Sequence, residues 1–241
     1  PPRSTLSPSS AASDVYKRQV FMERKAMTEL EAKEFLEKYG IPFPKRAIAK
    51  SPEEAVEKSR EIGYPVVFKI LSPDIIHKTD VGGVMLNIRD DVSAREAFNK
   101  IMENVKSKAP NARIDGILIE EMVHGGHEVI IGGLQDPTFG PVIMFGGLGG
   151  IYVELFKDVT FRLAPIDYDE AEDMIRETKG YKILTGFRGT EPANIEILKD
   201  LLVKTSKIIA ENADILELDL NPVRIFKDRA VVLDAKIIRK G

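Results

Sequence analysis

The residues with the plainest chemical purpose lie between positions 66 and 84. Lys69 interrupts the apolar run Val66-Val67-Phe68-Lys69-Ile70-Leu71, and His77-Lys78-Thr79-Asp80-Val81-Gly82-Gly83 follows it. Such a run reads as a strand buried on both faces, where an ammonium group is costly unless it meets an anion. The following stretch adds a second cation at Lys78, a hydroxyl at Thr79 and backbone N–H groups in a turn containing Gly82 and Gly83. Together these residues predict a phosphate-binding site. His77 adds a nucleophile, because a neutral imidazole nitrogen is available near pH 7 to accept and return a phosphoryl group. The loop is not G-x-x-x-x-G-K-[ST], so a P-loop fold is not supported. The plainer alternatives are a lysine that snorkels from a strand end and a histidine that is only a polar loop residue.

A second signal lies near the C-terminus. In Ile215-Leu216-Glu217-Leu218-Asp219-Leu220-Asn221-Pro222, leucines at 216, 218 and 220 alternate with Glu217, Asp219 and Asn221, the period of a strand. A two-residue turn at Lys227-Asp228 would pair Phe226 with Arg229 and set Asn221 opposite Asp234, with Cβ atoms about 5 Å apart. Hard oxygen ligands gathered on that face suit Mg²⁺, which takes one or two carboxylates and completes its shell with water and phosphate oxygens. A solvated polar face is the alternative.

Between these signals, Ile117-Leu118-Ile119-Glu120-Glu121-Met122-Val123 reads as a strand running into a hinge, with Glu128 beyond it. Hinge backbone groups could meet a nucleotide base, and a carboxylate could accept from ribose hydroxyls. Gly146-Gly147-Leu148-Gly149-Gly150, followed by Glu154 and Arg162, reads either as a cover over phosphates with Arg162 as a charge clamp or as a plain turn with a structural arginine. His124 and His127 flank two glycines and, without a third ligand, read as loop residues rather than a zinc site.

The elements that must carry these residues follow from periodicity and caps. Thr28 with Glu31 forms a capping box for a helix bearing Ala32, Phe35, Leu36 and Tyr39. Ser51, Pro52 and Glu54 open a second helix that stops at Gly63. Gly83 to Ile88 reads as a strand, and Ser93 with Glu96 as the capping box of a third helix carrying Ala94, Ala97, Phe98, Ile101 and Val105. Strands are expected over 114–123, 128–134 and 142–145. Asp167 caps a helix to about Thr178, Thr190 with Pro192 opens a longer one, and two strands end the chain. The alternation predicts an α+β or α/β architecture in two lobes, 22–123 and 124–241.

Composition sets the outer limits. The chain has 241 residues, 43% hydrophobic and 30% charged, with no Cys and no Trp. No apolar run approaches the roughly 18 residues of a membrane span. A net charge of −3 and a pI near 5.8 argue against a broad basic surface for nucleic acid. Without cysteine there is neither a disulfide nor a Cys zinc site, and a cytoplasmic location is the default. Residues 1–21 are Pro/Ser-rich with no apolar period and are expected to lie outside the fold as a disordered or non-native leader.

Taken in order, Lys69, the loop from His77 to Gly83, Glu120, Glu128, Asp219-Leu220-Asn221-Pro222 and Leu233-Asp234-Ala235-Lys236 resemble an ATP-grasp domain, in particular the β subunits of ADP-forming acyl-CoA synthetases. The resemblance covers about residues 22–241. It implies that nucleotide, ATP or ADP, binds between two lobes, with Lys69, Lys78 and Thr79 at the phosphates, Glu120 and Val123 at the base and Glu128 at the ribose. It also implies that Asn221 and Asp234 ligate Mg²⁺ and that His77 is a phosphorylated residue, a point that separates this branch from succinyl-CoA synthetases, which carry Gly-Arg-Gly there. The implied reaction is acyl-CoA + ADP + phosphate ⇌ acid + CoA + ATP, shared with a CoA-binding α subunit in an α₂β₂ assembly. A succinate-type β subunit, a fragment of a fused enzyme and a nucleotide-binding regulatory module without turnover are the alternatives.

Overall fold

The computed structural model describes residues 24–75, 77–147 and 158–241. Its first sheet has four antiparallel strands in the order β2 (Arg46–Ala49), β5 (Gly116–Glu121), β3 (Val66–Leu71), β4 (Val84–Ile88). Val66, Phe68, Ile70, Ile117 and Ile119 point to one face and pack with Ala55 and Val56 of helix α2 (Pro52–Ile62) and Ala94, Phe98 and Ile101 of α3 (Asp91–Lys108). The alternate residues, Val67, Lys69, Leu118 and Glu120, point the other way. Both faces are covered, which is why β3 reads as an unbroken apolar run with one lysine in it.

The second sheet has seven strands in the order β1 (Arg24–Ala26), β11 (Ala235–Lys240), β9 (Ile215–Ile225), β6 (His127–Asp136), β7 (Gly140–Gly146), β8 (Val159–Leu163), with β10 (Ala230–Val232) also paired to β9. One face is packed by α4 (Tyr168–Glu177) and the long α6 (Ile195–Glu211), which buries Leu198, Leu201, Leu202, Ile208 and Ile209. A short helix, α5, covers Tyr181–Leu184. Among the described residues no helix is long and apolar enough to cross a membrane.

The two-lobed α/β architecture is as expected, but its partition is not the linear one. Helix α1 (Glu29–Glu37) buries Ala32 and Leu36 in the core of the second lobe, and β1 pairs with β11. The N-terminal segment, assigned by sequence order to the first lobe, is thus built into the other. Its remaining inward positions, Glu29 and Lys33, face the first lobe.

Local signals at Thr28, Ser51 and Asp167 cap helices as expected. Two boundaries differ. Helix α3 is capped by Asp90, with Ser93 as the third helical residue returning a bond to the Asp90 amide, so the capping box sits three residues earlier than Ser93 with Glu96 implied. Helix α6 begins at Ile195, capped by Asn194, rather than at Thr190. Short strands β1, β2 and β8 were not expected, and the chain ends in three strands rather than two.

Candidate active site between the lobes

The C-terminal hairpin has the register that turn counting implies. The Phe226 amide donates to Arg229 O at 2.8 Å, Val232 pairs with Val223, and the Asn221 amide donates to Asp234 O at 3.1 Å. Leu218 and Leu220 are buried, while an irregularity beside Ile238 makes Leu216 the extra residue and puts Ile215 in the core. Asp219 stands opposite Lys236. The Asp234 and Asp219 carboxyls are both pushed above the ordinary range, Asp234 by burial and then by Glu29, Asp219 by burial and then by Asp234, and nearby lysines offset this only in part.

Lys69 reaches from β3 to this hairpin. Its Nζ lies 2.6 Å from Glu29 Oε1, 2.8 Å from Glu120 Oε2 and 2.9 Å from Leu233 O. Lys33, fully buried, bonds Glu120 at 2.5 Å, Glu29 at 2.7 Å and the same Leu233 oxygen at 3.0 Å. Lys78 lies 2.9 Å from Glu29 Oε2. Three ammonium groups thus enclose two carboxylates. Burial opposes ionisation of Glu29, but Lys69, Lys33 and Lys78 overcome it and hold that carboxyl well below its usual range. Burial likewise opposes the charge on Lys69, and Glu29, Glu120 and Asp234 raise its pKa above the usual lysine range.

Glu29 and Lys33 were missed by sequence reasoning. Their signal was present, since the i, i+4 pair lies one turn before the buried Ala32 and Leu36 on the same stripe of α1. Charged residues on a helix are ordinarily taken to face water.

The turn after β3 is closed by its own backbone. Asp80, Gly82 and Gly83 donate to His77, Thr79 and Lys78 carbonyls at 3.2, 3.0 and 2.8 Å. The amides of Gly82 and Gly83 are therefore used within the turn rather than aimed at an anion. Gly82 has φ +67°, and a Cβ at Gly83 would fall 2.5 Å from Ile70 Cγ2, so both positions serve the tightness of the turn. His77 is exposed at its start.

Two cavities meet here. One, of about 580 Å³, is lined by Lys69, His77, Lys78 and Thr79, by Glu121 to Val123 at the hinge, and by Glu128 and Asp234. Its size suits a nucleotide-sized ligand. The other, of about 280 Å³, is lined by Glu29, His77, Lys78, Asp219, Asn221 and Asp234. Lys69 and Asp234 thus face one cleft from opposite lobes, and His77, Lys78 and Asp234 belong to both cavities.

Three expected residues are engaged in ion pairs within the chain. Glu120 lines the cleft beside Glu121, Met122 and Val123, but its carboxylate is engaged by Lys33 and Lys69. Glu128 lines the cleft but is ion-paired with Arg224, whose other nitrogen donates to Gly125 O. Arg162 lies on edge strand β8, pairs with Glu177 and is not among the residues lining either cavity. The glycine cover from Leu148 to Gly150, with Glu154, falls outside the described residues. His127 lies 2.6 Å from Glu191 O and is not among the residues lining either cavity.

For a divalent cation, the donor set in the smaller cavity is Asp219, Asn221 and Asp234, and no group of three or more His, Cys, Asp or Glu in metal-holding geometry occurs among the described residues. Two carboxylates whose ionisation is opposed by burial and by nearby negative charge are what a hard cation relieves. The residues fit Mg²⁺ in a site completed by phosphate oxygens and water.

A cleft between two α/β lobes, with a lysine on one wall and a carboxylate hairpin on the other, defines a nucleotide-grasping fold. The chain belongs to the ATP-grasp family, whose domain model matches residues 20–238. It is similar to the β subunit of acetate–CoA ligase [ADP-forming] I of Pyrococcus furiosus, 51% identical over 216 residues that span 90% of this chain and 93% of that one. It is also 48% identical, over 205 residues, to the 4-hydroxybutyrate–CoA ligase [ADP-forming] of Nitrosopumilus maritimus, covering 85% of this chain but only 29% of that longer protein. Among solved structures, an acetyl-coenzyme A synthetase 1 of Ca. Korarchaeum cryptofilum in complex with coenzyme A and Ca-AMPCP superposes with a TM-score of 0.86 at 50% identity, covering 97% of this chain and all of that one.

Proposed function

We propose that this chain is the nucleotide-binding β subunit of an ADP-forming acetate–CoA ligase and passes a phosphoryl group to ADP in acyl-CoA + ADP + phosphate ⇌ acid + CoA + ATP. The observation that carries the reading is the convergence of Lys69, His77 and Asp234 on one cleft. Lys69, Lys78 and Thr79 hold the phosphates, Val123 and its hinge neighbours bound the base, and Glu128, with Arg224 beside it, lies at the ribose. Gly82 and Gly83 fix the turn that carries His77. Mg²⁺ held by Asp234, Asn221 and Asp219 supplies charge neutralisation for the transferred group.

His77 is the group positioned to accept a phosphoryl from a partner. It is exposed and stands where the smaller cavity opens into the nucleotide cleft. An imidazole nitrogen attacks phosphorus, the bond to the donor breaks, and ADP then takes the group from His77. A CoA-binding α subunit completes the enzyme, as an α₂β₂ assembly in the cytoplasm. The two curated relatives described above act, by name, on different acids at 51% and 48% identity to this chain. Similar likeness to both supports an acyl site held chiefly by the partner.

The test mixes the chain with its α partner, acetyl-CoA and labelled phosphate. Label appears on the β chain and is lost in His77→Ala; label that persists in that variant removes the relay.

A further inference from the structure

Glu29 carries no role in phosphoryl transfer, yet it touches both cations assigned to the phosphate tail. Its Oε1 lies 2.6 Å from Lys69 and 2.7 Å from Lys33, and its Oε2 lies 2.9 Å from Lys78. The side chain is almost wholly buried, and it lines the smaller cavity beside His77, Lys78 and Asp234. The three contacts are unequal. Oε2 makes no hydrogen bond of good geometry, so Lys78 is the least well tied of the three cations.

The carboxylate cannot easily move aside. Helix α1 is fixed by Ala32 and Leu36 in the second core, by the Thr28–Glu31 capping box and by the Lys33 bonds. Lys78, by contrast, sits on a turn and is half-buried. We propose that Glu29 is a specificity-determining residue that competes with the phosphates of the nucleotide for Lys78 and Lys69, and so limits how tightly the tail is held. A bound tail must draw Lys78 away from Glu29 and then lies near a fixed negative charge. The opposition grows with each phosphate, which favours departure of ATP over retention. This inference rests on the nucleotide reading, because it concerns the same two lysines.

Calorimetric titration of the full chain with ADP, ATP and adenosine in Mg²⁺ buffer tests it. Glu29→Gln keeps the shape and removes the competing charge, so ADP affinity rises about fivefold or more and ATP affinity by a larger factor. Adenosine, which has no phosphate, stays within about twofold. The gain shrinks when Lys78→Met is present in the same chain, since that part of it which runs through Lys78 is lost while the Lys69 contact remains. Unchanged or weaker ADP binding by folded Glu29→Gln, or equal tightening of adenosine, overturns the proposal. Should that variant fail to fold by circular dichroism, Glu29→Asp, which keeps the charge but withdraws it by one methylene, carries the test; tightening of ADP supports competition and no tightening refutes it. If the unaltered chain binds no ADP, the nucleotide reading itself fails, a result distinct from ADP binding that ignores Glu29.

Discussion

Two pairs of acids lie where the lobes meet and are held in different electrical surroundings. Glu29 and Glu120 are enclosed by Lys33, Lys69 and Lys78, and Glu29 is ionised more readily than in water. Asp219 and Asp234, on the hairpin, are ionised less readily. The difference shows that burial alone does not decide the fate of a carboxylate, because the first pair is supplied with cations by its own chain and the second is supplied only in part. The first pair is a structural joint. The second has negative charge to offer a ligand.

The largest effect that would break this contrast is on the joint. Lys33→Met leaves two buried carboxylates short of a cation and should lower unfolding stability by about 3 kcal/mol, read from the midpoint of urea unfolding. A loss within about 0.5 kcal/mol would mean that Lys69 and Lys78 suffice without it.

Asp234→Asn should have the reverse profile. Removing a charge that burial and Glu29 oppose leaves the melting temperature unchanged or higher, while the Mg²⁺-dependent part of ADP binding weakens by about tenfold, near 1.4 kcal/mol. A destabilised variant with intact Mg²⁺ dependence would place Asp234 with the structural pair.

The smallest effect sharpens the contrast through pH. Asp219 and Asp234 protonate above the ordinary carboxylate range, so Mg²⁺-linked nucleotide affinity falls by about twofold or more as pH descends towards that range from neutrality. Their raised pKa values mean that their unfavourable contribution to stability fades over the same descent. Glu29 has the opposite sign: its depressed pKa contributes stability above the ordinary range that is lost only in stronger acid. Binding titrations and thermal melts over one pH series should therefore part company, with affinity declining first. Parallel decline would show that Glu29 and the two hairpin aspartates titrate together.

What the sequence made legible was local or countable. Caps at Thr28, Ser51 and Asp167 are three-residue signals, and the hairpin register followed from one turn and a period of two. Lys69 was legible as a charge needing a partner, but the partner within the chain was not. Finding Glu29 required knowing that α1 crosses to the second lobe, which depends on pairing between residues 24–26 and 238–240. Short strands such as β2 and β8 carry too few residues for a period to show. Arg162 fitted a clamp by charge alone, whereas edge position and Glu177 govern where it lies.

The carbonyl oxygen of Leu233 accepts from Lys33 and Lys69 together. Because it belongs to the main chain, exchanging the side chain at position 233 cannot delete it, so this fastening is insulated from mutation there. It also joins an atom of one half to a strand of the other at the back of the groove. Prising the halves apart by more than a hydrogen bond's reach would part Lys69 from both Leu233 and Glu29 and part Lys33 from Glu120, so opening breaks three charged contacts at a single stroke.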